Sequence, residues 1–103
     1  AAAKGDSALA RELVREMIHR EGALRAAIAL VLARAGAPAV PPLLEAYPGI
    51  RNSAELKVLI LRTLVSIGDA GALPLLREAR GDPESQVRFW ANRGIEEMDG
   101  RSV

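Results

Sequence analysis

The strongest constraint on what this chain can fold into is that it repeats itself. LVSIGDAGALPLLREA at 64–79 echoes LARAGAPAVPPLLEA at 32–46, with Gly68 and Pro74 thirty-two residues after Gly36 and Pro42. Leu24-Arg25, Leu56-Lys57 and Val87-Arg88 recur at steps of 32 and 31. A unit of this length holds two short helices and a turn, too little to bury its own apolar side. Stacked copies share one continuous core. The segment Ile67–Met98 is the fullest example of the unit.

Helical spacing predicts six helices, at about 7–19, 23–35, 38–47, 53–67, 70–80 and from Asp82-Pro83-Glu84 to about Met98. Ala1–Asp6 reads as a frayed start, with Ser7 or Asp6 capping the first helix. Leu9, Leu13, Met17 and Ala10, Val14, Ile18 recur at spacing three and four, with Arg11, Glu12, Arg15, Glu16 and Arg20 on the other side. That is an amphipathic helix. The second, ALRAAIALVLARA, is apolar nearly all round, as expected of a helix packed on several sides. Gly36 and Gly68 are placed to end helices, Gly36 in a left-handed conformation, and Asp99-Gly100 to close the last one. Pro41-Pro42 should shorten or kink the third helix. Val and Ile show no strand alternation.

The expected fold is therefore an all-α superhelix, an α-solenoid of about three helix pairs in a single domain. The repeats fall at approximately 7–36, 37–68 and 69–99. An ordinary helical bundle is the structural alternative. The core must be built from Leu, Ile, Val and Ala, because only 3% of residues are aromatic.

Aligning the second helices sorts their faces. Leu24, Ile28, Leu32 and Ala35 match Leu56, Ile60, Leu64 and Ile67, then Val87, Ala91, Ile95 and Met98. This stripe should pack on its own first helix. Ala26-Ala29-Ala33 matches Val58-Leu61-Val65 and then Phe89-Asn92-Glu96, and should face the neighbouring repeat. Its polar end suits a terminal repeat, as does the amphipathic helix at the other end, so three repeats are expected to be a complete array. The chain also opens AAAK without an initiator Met, which suits a processed or trimmed product. The stripe left for solvent contains Leu30, Arg34, Glu55, Leu59, Arg62, Gln86, Trp90 and Arg93. These eight are the candidate partner-binding residues: an apolar strip of Leu30, Leu59 and Trp90 with arginines beside it. Trp and Arg dominate binding hot spots. The competing role for Trp90 is to fold over the edge of the core.

Little else offers chemistry. There is no cysteine, so disulfides, thiolate metal sites and cysteine nucleophiles are excluded. His19 is the only histidine and has no partner at metal-ligand spacing. GDAGAL at 68–73 lacks the lysine and preceding strand of a phosphate loop. No catalytic residue, cofactor or metal site is expected. A net charge of +1 argues against nucleic acid, and the longest apolar run, Ala26–Ala33, is too short to span a bilayer.

The proline within a first helix, the turn aspartate and the Val-Arg pair opening a second helix resemble HEAT repeats. Pro74, Asp82 and Val87-Arg88 carry all three features. The chain is similar in particular to the short bacterial kind related to phycobilin lyases. The resemblance implies that Asp82 caps the turn and pairs with Arg88 or Lys57. Arg51 and His19 stand at the aspartate position in the earlier repeats. It further implies a non-enzymatic scaffold or adaptor that presents a concave helical surface to a protein or peptide. The alternatives are a small or regulatory part of a larger enzyme complex of the bilin-lyase kind, or a spacer domain.

Overall fold

Glycine, proline and short polar caps divide the chain into its helices. The computed structural model describes the backbone of residues 2–102 and the side chains of residues 7–99. Six α-helices run in order among them: α1 Ala2–His19, α2 Gly22–Ala35, α3 Val40–Ala46, α4 Ala54–Ile67, α5 Leu73–Ala79 and α6 Ser85–Ser102. Short 3-10 turns at Ala37–Ala39 and Ala70–Ala72 lead into α3 and α5, and another at Tyr47–Gly49 follows α3. Pro38 sits in the first of these turns, and the Pro41-Pro42 helix is only seven residues long.

Local chemistry sets these boundaries. Ser53 caps α4: its Oγ accepts the Leu56 N–H at 3.1 Å. Gly68 ends α4 in the left-handed region, φ 75° and ψ 21°, and its N–H returns to the Leu64 carbonyl. Gly36 also has positive φ, 76°, but its ψ of −137° lies outside that region, a departure from the left-handed stop expected there. Asp69 Oδ1 accepts the Gly71 N–H at 2.7 Å and shapes the turn into α5.

Three expected boundaries move. The first helix starts at Ala2, so Ser7 lies inside it rather than capping it. The last helix starts at Ser85, and its first bond runs from the Arg88 N–H to the Glu84 carbonyl. Asp82 and Pro83 therefore form the turn before it, and Asp82 Oδ1 accepts the Glu84 N–H at 2.8 Å. Asp99-Gly100 does not stop α6, which runs on to Ser102.

The helices form two layers. α1, α3 and α5 make one row; α2, α4 and α6 make the other, with α4 packed against α2 on one side and α6 on the other. Every helix sends at least one fully buried side chain inward: Met17, Leu32, Leu43, Leu76 and Val87 come one each from the outer five, and Ile60, Leu61 and Leu64 from α4. Helix α4 is the hub of the core because it alone in its row has a neighbour on both sides. Its one buried polar side chain, Thr63, is satisfied by donating to the Leu59 carbonyl at 2.7 Å.

The aligned stripes mostly fall where expected. Leu56, Ile60, Leu64, Val87, Ala91 and Met98 are buried, as are Ala29, Leu61 and Val65 of the inter-repeat stripe, while Phe89, Asn92 and Glu96 are exposed. Helix α2 departs from its expectation. It is not packed on several sides: only Ala29 and Leu32 are buried, and Leu24, Leu30 and Val31 are each at least half exposed. It contacts α1, α4 and the turn after it, and no described helix covers its outer side.

Candidate functional site: a cleft across the second helices

The second helices α2, α4 and α6 lie side by side and leave two adjoining depressions. The larger, about 540 Å³, is bordered by Ala26 and Arg25 of α2, Glu55, Leu59 and Arg62 of α4, and Gln86 at the start of α6. The smaller, about 260 Å³, lies between α2 and α4, with Leu30 on one bank and Leu59, Arg62 and Ser66 on the other. Ala26, Leu59 and Arg62 border both, so the two form one continuous cleft. Alanines at 26, 29 and 33 make its α2 wall shallow.

Arg62 links this cleft to the only tryptophan. Its guanidinium lies 5.2 Å from the centre of the Trp90 ring, and that of Arg93 lies 5.6 Å from it. Each such contact contributes about 0.5–1 kcal/mol at an exposed site. Arg93 is further held by Glu97 at 3.4 Å, and the Phe89 ring meets Trp90 edge-on at 5.5 Å. Trp90 is half-buried and packs against the core. Its packing fits the core-edge role weighed from the sequence, and the two guanidinium groups stand against its ring.

Of the eight candidate residues, Glu55, Leu59, Arg62 and Gln86 come together in the larger depression, and Leu30 joins Leu59 and Arg62 in the smaller. Trp90 and Arg93 connect to them through Arg62. Arg34 is exposed on α2 and borders neither depression. Glu84 and Ser85 also border the cleft, and the sequence alignment missed them because it began the α6 stripe at Gln86. The mouth of the cleft therefore carries both signs, Glu55 and Glu84 facing Arg25 and Arg62. Arg25 is already committed: it donates to the carbonyls of Met17 at 3.0 Å and Ile18 at 3.2 Å, closing the end of α1.

The other titratable groups serve the frame. Asp82 takes Lys57 through its carboxylate at 3.0 Å, while Arg88 donates to the backbone carbonyls of Asp82 and Pro83, each at 2.8 Å. Of the two partners expected for that carboxylate, Lys57 is the one it pairs with. The Glu84 N–H, and after it Lys57, hold the Asp82 carboxyl below its usual range. His19 Nδ1 sits 2.8 Å from the Arg15 carbonyl and, as an N–H, donates to it. No group of three or more His, Cys, Asp or Glu side chains is arranged to hold a metal ion among the described residues.

The helices pair in two layers, and a proline sits in the first helix of repeats two and three. The family model for HEAT repeats matches residues 8–96. The chain belongs to the HEAT-repeat family. No curated protein and no solved structure matches it. HEAT repeats typically mediate protein–protein interaction, and the family is generally non-enzymatic. No described helix of this HEAT-repeat chain is long and apolar enough to cross a membrane.

Proposed function

We propose that this HEAT-repeat chain is a non-enzymatic scaffold or adaptor whose α2–α4–α6 cleft docks a segment of a protein partner. The observation that carries the reading is the position of Leu30. It is 56% exposed on the bank of a cleft whose other bank is Leu59 and Arg62. Trp90 with Arg62 and Arg93 has the composition of a binding hot spot, and the exposed Leu30 with Leu59 adds apolar surface next to it. The charges at the mouth are mixed, so they favour a partner segment that is itself mixed in charge.

The residues placed in this role are Leu30, Glu55, Leu59, Arg62 and Gln86, with Trp90 and Arg93 extending the surface. Leu30 is the cleanest probe, because its exposure makes substitution cheap for the fold. Leu30→Glu should therefore leave the melting temperature unchanged and weaken partner binding; unchanged binding would count against the cleft.

A further inference from the structure

The outer side of the first repeat is apolar and open. Leu9, Leu24 and Val31 are 61%, 53% and 50% exposed. Leu9 and Val31, with Leu13, Ala35 and Pro38, border a depression of about 210 Å³ between α1 and α2. Isolated exposed aliphatics are ordinary on protein surfaces. The internal repeat makes these ones informative, because the chain contains two further copies of the same positions.

Val31 corresponds to Thr63 and Gly94, and Leu24 to Leu56 and Val87, at steps of 32 and 31. Thr63 is 4% exposed, Leu56 5% and Val87 0%, and Gly94 is buried as well. At the first junction Ala29 and Ala33 of α2 border the same depression as Thr63. At the second, Val65 of α4 is so close to Gly94 that a Cβ there would lie 2.6 Å from its Cγ2. The position thus meets the preceding second helix in repeats two and three, and meets solvent in repeat one.

We propose that this face is a docking surface for a further helix pair of the same repeat type, stacked in the register of the two internal junctions. Its occupant is a helical hairpin that presents small side chains where α2 presents Ala29 and Ala33 to the depression it shares with Thr63, since Val31 is β-branched like Thr63 and a valine such as Val65 leaves room only for glycine. A second copy of this chain does not supply that face head to tail. Its last repeat offers Phe89, Asn92 and Glu96 at those places, all exposed. The proposal stands on a different surface from the α2–α4–α6 cleft and does not depend on it.

A duplicate of residues 7–36, whose second helix presents Ala29 and Ala33, is fused ahead of the full chain in repeat phase and supplies such a pair; Val31→Glu is made only in the full chain's own copy. The parent, the fusion and the Val31→Glu variant of each are compared by thermal unfolding and light scattering. The fusion should melt in a single transition more than about 4 °C above the parent. Val31→Glu should lower the fusion by at least about 4 °C and move the parent by less than about 3 °C. A duplicate that melts separately would overturn the proposal, as would equal effects of Val31→Glu on both proteins. So would a dimeric parent that Val31→Glu dissociates, since a second copy would then cover the face.

Discussion

Lys57 on α4 reaches the turn of the following repeat and grips Asp82, Nζ to Oδ2 3.0 Å, with the two side chains only 18% and 11% exposed. Asp82 also accepts the Glu84 N–H through its other oxygen, so one carboxylate shapes the entry to α6 and ties it to α4. Asp82→Ala removes both bonds and leaves a largely covered ammonium without its partner. The expected cost is about 1–3 kcal/mol, read from urea midpoints at neutral pH.

The same pair sets an acid limb. The Asp82 carboxyl lies below its ordinary value in the folded chain, chiefly through the Glu84 N–H and then through Lys57. The folded state therefore holds this proton less tightly than the unfolded chain. The stabilisation is complete above the unfolded value of about 4 and fades as pH falls through the lower folded value. The gap in stability between wild type and Asp82→Asn should be largest near pH 7 and shrink toward pH 3.

Gly94 is where α6 approaches the hub helix most closely. An added Cβ would lie 2.6 Å from Val65 Cγ2 and 3.0 Å from Leu76 Cδ1. Both neighbours are buried, and Val65 is β-branched and stiff, so neither yields cheaply. Gly94→Ala gains about 1 kcal/mol of helix propensity and loses about 1–3 kcal/mol to overpacking. The expected result is net destabilisation, with part of it recovered when Val65→Ala is added. A Gly94→Ala variant more stable than wild type would show that the contact is not tight.

Tyr47 carries the opposite kind of imperfection. Its hydroxyl is buried without a hydrogen-bond partner among the described residues. Burial, and then the charges of Asp82 and Glu78, push it up to about 12. Tyr47→Phe deletes an unmatched polar group and should leave stability equal or higher by about 1 kcal/mol. In wild type the phenol should ionise well above pH 10, the folded protein holding the proton that the unfolded chain releases.

Helix identity and repeat phase were legible in the sequence because they rest on local rules. Gly68 ends its helix where its chemistry says, and the stripe Leu56, Ile60, Leu64 is buried as its spacing requires. What escaped depends on three-dimensional neighbours. The composition of α2 suits a buried helix, yet burial also needs something on the outer side, and periodicity cannot report whether it is there. Nothing in the local sequence marks Gly94, because only the proximity of Val65 explains it. Asp82 was legible as a turn residue, but its preference for Lys57 over Arg88 follows from where Arg88 finds two backbone carbonyls. The candidate strip was legible as a stripe. That Arg62 belongs at once to the cleft and to Trp90 was not.

The central claim, that the α2–α4–α6 cleft takes a protein segment, is tested most directly by binding at Leu30. Peptides selected from a displayed random library against the wild-type chain are titrated against wild type and Leu30→Glu, with the single Trp90 as the fluorescent reporter. The account expects equal melting temperatures, at least tenfold weaker binding to Leu30→Glu, or about 1.4 kcal/mol, and a Trp90 emission change on binding to wild type. Selected peptides that bind both proteins equally and leave Trp90 emission unmoved would contradict it.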